Sequence, residues 1–103
     1  MIDNGNCYPT ESVVTFLHVD YTKCLLQLRD FKPSIAFPGV WGGFGGQIEK
    51  GESPKLAGCR ELKEELGYSP NRISYFRDYH FDNFVACYKT DVHLHVCYGE
   101  LKV

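Results

Sequence analysis

The stretch "GGQIEKGESPKLAGCRELKEELGY", residues 45–68, decides the fold of this 103-residue chain. It predicts a helix over residues 54–66, because both ends carry residues that favour helix termini. Ser53 can cap the first turn with its hydroxyl, and Pro54 fits the first helical position, where no amide donor is needed. Gly67 can adopt the left-handed conformation that commonly follows the last turn.

The predicted helix concentrates negative charge on one face. Advancing by about 100° per residue places Arg60, Glu61, Glu64 and Glu65 on one side and the apolar residues Cys59, Leu62 and Leu66 on the other. Like charges at these spacings cost about a few tenths of a kcal/mol per pair, and a single arginine neutralises only one of them. A hard divalent cation with oxygen ligands, Mg²⁺ or Mn²⁺, would compensate the rest. A solvated surface is the usual interpretation of such a charge run, so the surrounding residues must decide.

Those surrounding residues follow the pattern G-x(5)-E-x(7)-R-E-U-x-E-E-x-G-U, where U is a bulky apolar residue. The matching positions are Gly46, Glu52, Arg60, Glu61, Leu62, Glu64, Glu65, Gly67 and Tyr68. The stretch resembles the Nudix box, here residues 46–68, which is the signature of the Nudix hydrolases. Tyr68 replaces the usual aliphatic residue and Phe44 stands where many members have proline, but both changes keep the apolar volume.

The resemblance implies an enzyme that cleaves the diphosphate bond of a nucleoside diphosphate linked to another group. Water attacks phosphorus, and Mg²⁺ or Mn²⁺ is the implied cofactor. By resemblance, Glu61, Glu64 and Glu65 hold the metal together with the backbone carbonyl of Gly45. Either Glu61 or Glu64 takes the proton from the attacking water. The alternative is a catalytically weak nucleotide-binding module that keeps the fold.

Three further residues are given supporting roles. Glu52 is expected to pair with Arg60, which would fix the loop before the helix and orient the catalytic carboxylates. The alternative for Arg60 is an intrahelical pair with Glu64 alone. Arg29, at the end of the second predicted strand, is expected to bind the substrate diphosphate, or else to be a surface charge.

Beyond the box the signals are weaker. His93 and His95 share one face of a predicted strand, a spacing that suits a metal, but packing or surface positions are the favoured interpretation. Family members often use one more carboxylate from beyond the box as a ligand or base. The sequence does not select among the candidates, which are Asp78, Asp82, Asp91 and Glu100.

The remaining elements predict an α/β (α+β) fold in which one helix lies on a mixed sheet. A polar leader is expected at residues 1–11, followed by a single domain at 12–103. Within the domain, a hairpin with a largely buried second strand is predicted at 12–19 and 24–30, a shaped glycine-rich loop at 31–46, and three strands at 72–79, 83–90 and 93–101.

The family resemblance implies an α/β/α sandwich whose chain continues through another strand and a second helix. The chain is therefore expected to be shortened at its C-terminus and to lack the C-terminal helix, which leaves one sheet face bare. An uncovered apolar face of this size predicts a homodimer, or a shortened version of a longer protein.

Composition indicates which kinds of partner and which cellular compartment to expect. A net charge of −2 disfavours a nucleic-acid partner. The family resemblance implies a small-molecule nucleoside diphosphate derivative as the partner. The five cysteines form no C-x-x-C pair and are expected to be reduced. No apolar run reaches the length of a membrane span and the start lacks signal-peptide character, so a cytoplasmic location with no membrane contact is predicted.

Overall fold

The structure is a computed structural model and describes residues 8–28, 39–85 and 88–102. One helix and seven strands make up this part of the chain. In chain order they are β1 (Tyr8–Val19), β2 (Lys23–Leu25), β3 (Gln27–Leu28), β4 (Trp41–Gly42), β5 (Phe44–Gln47), α1 (Pro54–Leu66), β6 (Ile73–Val85) and β7 (Tyr88–Glu100).

The main sheet is mixed and is organised around β1. One edge of β1 runs parallel to β7, with Val13 opposite His95, and β7 pairs antiparallel with β6. The other edge of β1 pairs antiparallel with β5 near its start and with β2 near its end. β3 and β4 form a separate short pair. The predicted α+β class, with one helix on a mixed sheet, is confirmed.

The helix has the predicted boundaries and caps. The Ser53 hydroxyl accepts a hydrogen bond from the amide of Leu56 at 3.2 Å, and Pro54 occupies the first helical position. Gly67 has φ 68°, and its amide donates to the carbonyl of Lys63 at 2.9 Å. These caps satisfy backbone groups that a helix end would otherwise leave unpaired.

The core lies between α1 and one face of the sheet. Val13, Thr15 and Leu17 alternate along β1 and are buried, as expected for a strand with one face against the core. The buried apolar set is Val13, Leu17, Phe44, Ala57, Leu62, Ile73 and Cys97. It is small, which fits a domain of this length.

The face of α1 that packs against the sheet lies closer to the acidic residues of the helix than predicted. Leu62 is buried, but Leu66 remains 39% exposed, while Ala57 and Gly58 lie against the sheet. A Cβ at Gly58 would lie 2.7 Å from the Thr15 hydroxyl, so glycine permits this close approach. Leu66, which the sequence places on the apolar side of the helix, is therefore less covered by the sheet than Leu62.

Several strand predictions also need correction. β1 begins at Tyr8, four residues inside the segment predicted as a leader. β2 is exposed along its length, so the second strand of the hairpin is not buried. Two long strands, β6 and β7, replace the three strands predicted after the helix, because the polar residues read as turns lie within the strands.

The face of the sheet opposite α1, called the far face below, is apolar. It carries Val14, Phe16, Phe76, Leu94, Val96 and Tyr98 around an open depression. Phe76 is 59% exposed, and the guanidinium of Arg77 lies 5.3 Å from its ring centroid. Within the described ranges, no helix has the length and apolar composition needed to cross a bilayer.

Candidate functional site

Arg60 and Glu52 form the best-defined contact of the site. Arg60 Nε donates to Glu52 Oε2 at 2.7 Å, and Arg60 Nη2 donates to Glu52 Oε1 at 3.0 Å. This two-point geometry is the strong form of an arginine–carboxylate pair. The hydrogen bonds from Arg60 lower the pKa of Glu52, and the same contact raises the pKa of Arg60. The predicted pairing between these residues is present.

The same guanidinium also reaches the helix carboxylates and the end of β5. Arg60 Nη1 donates to Glu61 Oε2 at 3.0 Å and to Glu64 Oε1 at 3.4 Å. Arg60 Nη2 donates to the carbonyl of Gln47 at 3.0 Å. An intrahelical pair with Glu64 is therefore only a minor part of what Arg60 does.

Glu52 in turn closes the loop between β5 and α1. Its carboxylate accepts a hydrogen bond from the amide of Glu49 at 2.9 Å, and its own amide donates to the carbonyl of Glu49 at 3.0 Å. Gly51 has φ +88°, a conformation that favours glycine, at the turn of this loop. The start of the loop is tied to β1, because the amide of Ile48 donates to the carbonyl of Glu11 at 2.7 Å.

The two glycines of β5 allow close approaches of different kinds. A Cβ at Gly46 would lie 2.6 Å from Glu61 Oε2, so the missing side chain makes room for the Glu61 carboxylate. A Cβ at Gly45 would lie 1.9 Å from the carbonyl oxygen of Val13, so this glycine makes room for the backbone of β1. Gly46 therefore accommodates a helix side chain and Gly45 accommodates a neighbouring strand, while metal binding by the Gly45 carbonyl stays a prediction.

The helix carboxylates differ in environment. Glu61 is nearly enclosed, with 13% of its side chain exposed, whereas Glu64 is 58% exposed. Glu65 is partly desolvated beside Glu61. Desolvation, a hydrogen bond with Glu61 and the nearby negative charges raise the pKa of Glu65 to about 7. Ionisation of Glu65 is therefore disfavoured when nothing else neutralises the cluster.

A hard cation fits this group of ligands. The carboxylates of Glu61, Glu64 and Glu65 are oxygen donors of the kind that Mg²⁺ and Mn²⁺ prefer. Burial and the neighbouring Glu61 and Glu64 carboxylates raise the pKa of Glu65, so a bound cation would favour its ionised form. An open polar cleft of about 540 Å³ adjoins Arg60, Glu61 and Glu64, a volume in the range of small-molecule sites.

Of the remaining predicted residues, Arg29 lies outside the described residues. Asp78 contacts His93 on β7, and Glu100 pairs with Lys102 at 3.5 Å. Asp82 and Asp91 are opposite each other on β6 and β7, in a part of the sheet whose side chains are not described.

Two residues near these sites were missed from the sequence. Gln27 on β3 donates from Nε2 to the carbonyl of Gly43 at 3.0 Å and to Glu65 Oε1 at 3.5 Å. Glu11 on β1 contacts His93 and His95 with its carboxylate. Neither residue belongs to a recognisable pattern, because each meets its partners only through contacts between residues that are distant in sequence.

Comparison with known proteins gives a consistent result. The model of the NUDIX domain matches residues 9–102. The m7GpppN-mRNA hydrolase NUDT17 of Xenopus laevis is 39% identical over 62 residues, which are 60% of this chain and 21% of that protein. The 8-oxo-dGTP diphosphatase of Escherichia coli (strain K12) is 45% identical over 38 residues, which are 37% of this chain and 30% of that protein.

A solved structure agrees with the fold. The NUDIX hydrolase from Nitrosomonas europaea superposes with a TM-score of 0.73 at 24% identity, covering 93% of this chain and 61% of that chain. The present chain spans less than a third of the length of the two curated relatives. The structural likeness therefore concerns the fold, and the activity must be argued from the site.

Proposed function

The chain belongs to the Nudix family, and from that premise we propose that it hydrolyses the diphosphate bond of a nucleoside diphosphate linked to a second moiety. Mg²⁺ or Mn²⁺ is the proposed cofactor. The observation that carries the proposal is the crowding of Glu61, Glu64 and Glu65 on one side of α1 beside a single arginine, which contacts Glu61 at 3.0 Å and Glu64 at 3.4 Å. A bound cation would offset the repulsion within such a group of carboxylates.

The proposed ligands are the carboxylates of Glu61, Glu64 and Glu65 and the backbone carbonyl of Gly45. When bound, the cation brings positive charge to the diphosphate oxygens and makes water a better nucleophile. Either Glu61 or Glu64 accepts the proton of the attacking water. Glu61 is held by Arg60 and Glu64 is open to solvent, so these contacts exclude neither residue as the general base.

Arg60 and Glu52 act in this proposal as positioning residues. Their two-point pair holds the loop that follows β5 against the start of α1. The contact from Arg60 Nη1 then fixes the Glu61 carboxylate, which reduces the freedom lost when substrate binds. Arg29 is proposed to bind the diphosphate.

The test is release of phosphate or nucleotide from a panel of diphosphate compounds with and without Mg²⁺. The panel includes a capped dinucleotide and 8-oxo-dGTP, the compound classes in the relatives' names. Glu64→Gln is expected to lower turnover by about 10² to 10⁴-fold, because it removes a ligand or base. Asp20→Asn is the matched control, since it removes a carboxylate from the turn after β1.

The outcomes separate the alternatives. Mg²⁺-dependent turnover that Glu64→Gln abolishes and Asp20→Asn preserves supports the enzyme. Nucleotide binding by the unmodified chain without turnover on any compound would instead indicate the catalytically weak binding module. Equal turnover by Glu64→Gln and the unmodified chain would remove the proposed site.

Two further proposals concern assembly and compartment. A second copy of the chain is the proposed cover of the far face, where Phe76 is 59% exposed. Sedimentation showing a folded monomer at micromolar concentration would contradict it. The cytoplasmic location, which the cysteine usage favours, stays a prediction.

A further inference from the structure

A second group of metal-ligating side chains lies at the start of β1, and it is independent of the proposed function. Glu11, His93 and His95, called the histidine cluster below, each offer a ligand atom within 4.8 Å of the others. Glu11 Oε2 lies 3.2 Å from His93 Nδ1, and Glu11 Oε1 lies 2.8 Å from His95 Nε2. The two imidazole centroids are 4.3 Å apart.

Strand pairing explains why these residues meet. Glu11 and His93 are direct neighbours in the parallel pairing of β1 and β7. His93 and His95 are two residues apart on β7 and so project from the same face. That face also carries Val13 and Cys97, but the histidine cluster is only partly buried, with 35% of the His93 side chain and 13% of the His95 side chain exposed.

Each histidine has its second ring nitrogen engaged by another side chain. Asp78 Oδ2 lies 2.5 Å from His93 Nε2, and the Tyr75 hydroxyl lies 2.9 Å from His95 Nδ1. Both partners come from β6. The nitrogens left for a ligand, His93 Nδ1 and His95 Nε2, are the two that face Glu11. Metal-binding histidines are typically oriented by such a carboxylate or hydroxyl on the far nitrogen.

The distances suit a small transition-metal ion. Zinc bonds to histidine nitrogen and carboxylate oxygen are about 2.0–2.2 Å long, which puts tetrahedral ligand atoms about 3.4 Å apart. The separations in the histidine cluster, 2.8 and 3.2 Å in its contacts with Glu11 and no more than 4.8 Å between the ligand atoms, bracket that value.

We propose that the histidine cluster binds a divalent transition-metal ion of the Zn²⁺ class through Glu11, His93 and His95, with Asp78 and Tyr75 as positioning residues. Two imidazoles and one carboxylate favour Zn²⁺ over Mg²⁺, which prefers oxygen ligands throughout. Three protein ligands leave one coordination position for water or another oxygen donor. Glu11 is 57% exposed, so the ion can enter from solvent.

The test is Zn²⁺ titration of the full chain by calorimetry, with excess Mg²⁺ present to saturate the helix carboxylates. A single Zn²⁺ per chain is expected, and it should be lost in Glu11→Gln and in His93→Gln. Glu11→Gln is the safer variant for folding, because the side chain is exposed and keeps its size. His18→Gln is the matched control, since His18 stacks on Tyr21 at the opposite end of β1.

Two further measurements make the outcome decisive. Asp78→Asn should weaken Zn²⁺ binding by about 10–100-fold while keeping the stoichiometry, because it disturbs only the orientation of His93. Co²⁺ substitution should give visible bands of a tetrahedral site without thiolate charge transfer, which excludes binding by exposed Cys24. Uptake that survives Glu11→Gln and His93→Gln, that disappears only in Glu64→Gln, or that is never observed would overturn the proposal.

Discussion

Replacing Gly46 by alanine is expected to preserve the fold and disable the candidate site. A Cβ at this position would lie 2.6 Å from Glu61 Oε2 and 2.7 Å from Glu61 Cδ. Non-bonded heavy atoms make favourable contacts at about 3.5 Å, so the carboxylate must move away by about 1 Å. A misplacement of about 1 Å at a catalytic group lowers the rate by about 10²-fold.

The same change should cost little stability. The clashing atoms belong to the end of a flexible side chain, which can rotate away without moving the backbone. Replacing a strand glycine by alanine also restricts the unfolded chain, which contributes about 0.4–1 kcal/mol in favour of the folded state. The free energy of unfolding of Gly46→Ala is therefore expected to stay within about 1 kcal/mol of the unmodified protein.

Two neighbouring glycines provide matched controls. A Cβ at Gly45 would lie 1.9 Å from the Val13 carbonyl oxygen, and this clash can be relieved only by moving β1. Gly45→Ala should lose about 3 kcal/mol or more of a total near 5–15 kcal/mol. A Cβ at Gly42 meets nothing within 4 Å, so Gly42→Ala should change neither stability nor activity.

The assays are urea denaturation for stability, Mg²⁺ titration calorimetry for the metal and kcat/KM on the substrate panel for activity. Gly46→Ala should keep its denaturation midpoint and lose Mg²⁺ affinity and activity together. Full activity and full Mg²⁺ affinity in Gly46→Ala would show that Glu61 does not act from the position seen in the structure. A collapse in stability as large as that of Gly45→Ala would refute the claim that only a side chain must yield.

Three other expectations follow from individual contacts. The buried Thr15 hydroxyl has no hydrogen-bond partner among the described residues, so Thr15→Val should raise the free energy of unfolding by about 1 kcal/mol in urea denaturation, and a loss of stability would contradict this. The pKa of Glu65 is raised to about 7, so without metal the folded chain binds a proton more tightly than the unfolded chain. The contribution of Glu65 to the free energy of unfolding should be present at pH 4.5 and be lost as pH rises through about 7. Glu65→Gln should not show this pH-dependent loss. Arg60→Lys keeps the charge but not the fork that binds Glu52 at two points, so it should cost about 10-fold or more in kcat/KM, and an unchanged value would remove the positioning role.

Local features of this chain could be predicted because their causes are close in sequence. The helix boundaries follow from Ser53, Pro54 and Gly67, whose capping contacts span no more than four residues. The pair between Arg60 and Glu52 is also short in range, and the motif that contains both residues anticipates it. These predictions needed no knowledge of the sheet.

Features that depend on strand pairing could not be predicted in the same way. Glu11 and His93 are 82 residues apart in sequence and meet only because β1 and β7 run parallel in one register. The turns predicted between the last three strands fall inside β6 and β7, because antiparallel pairing continues both strands through these polar residues. The need for glycine at position 45 likewise comes from the backbone of β1, which a Cβ there would meet, so the motif alone could not reveal its cause.

The contacts of Arg60 indicate that the helix carboxylates have a role beyond stabilising the fold. A purely structural role would be met by Glu52, whose two-point pair with Arg60 already closes the loop. Glu64 lies at 3.4 Å from the guanidinium and is largely solvated, and burial together with the neighbouring carboxylates raises the pKa of Glu65. These two residues add repulsion to the cluster without adding a contact that holds the loop. A cation bound among them, as proposed above, would offset that repulsion and would give both residues a role that the loop contacts do not.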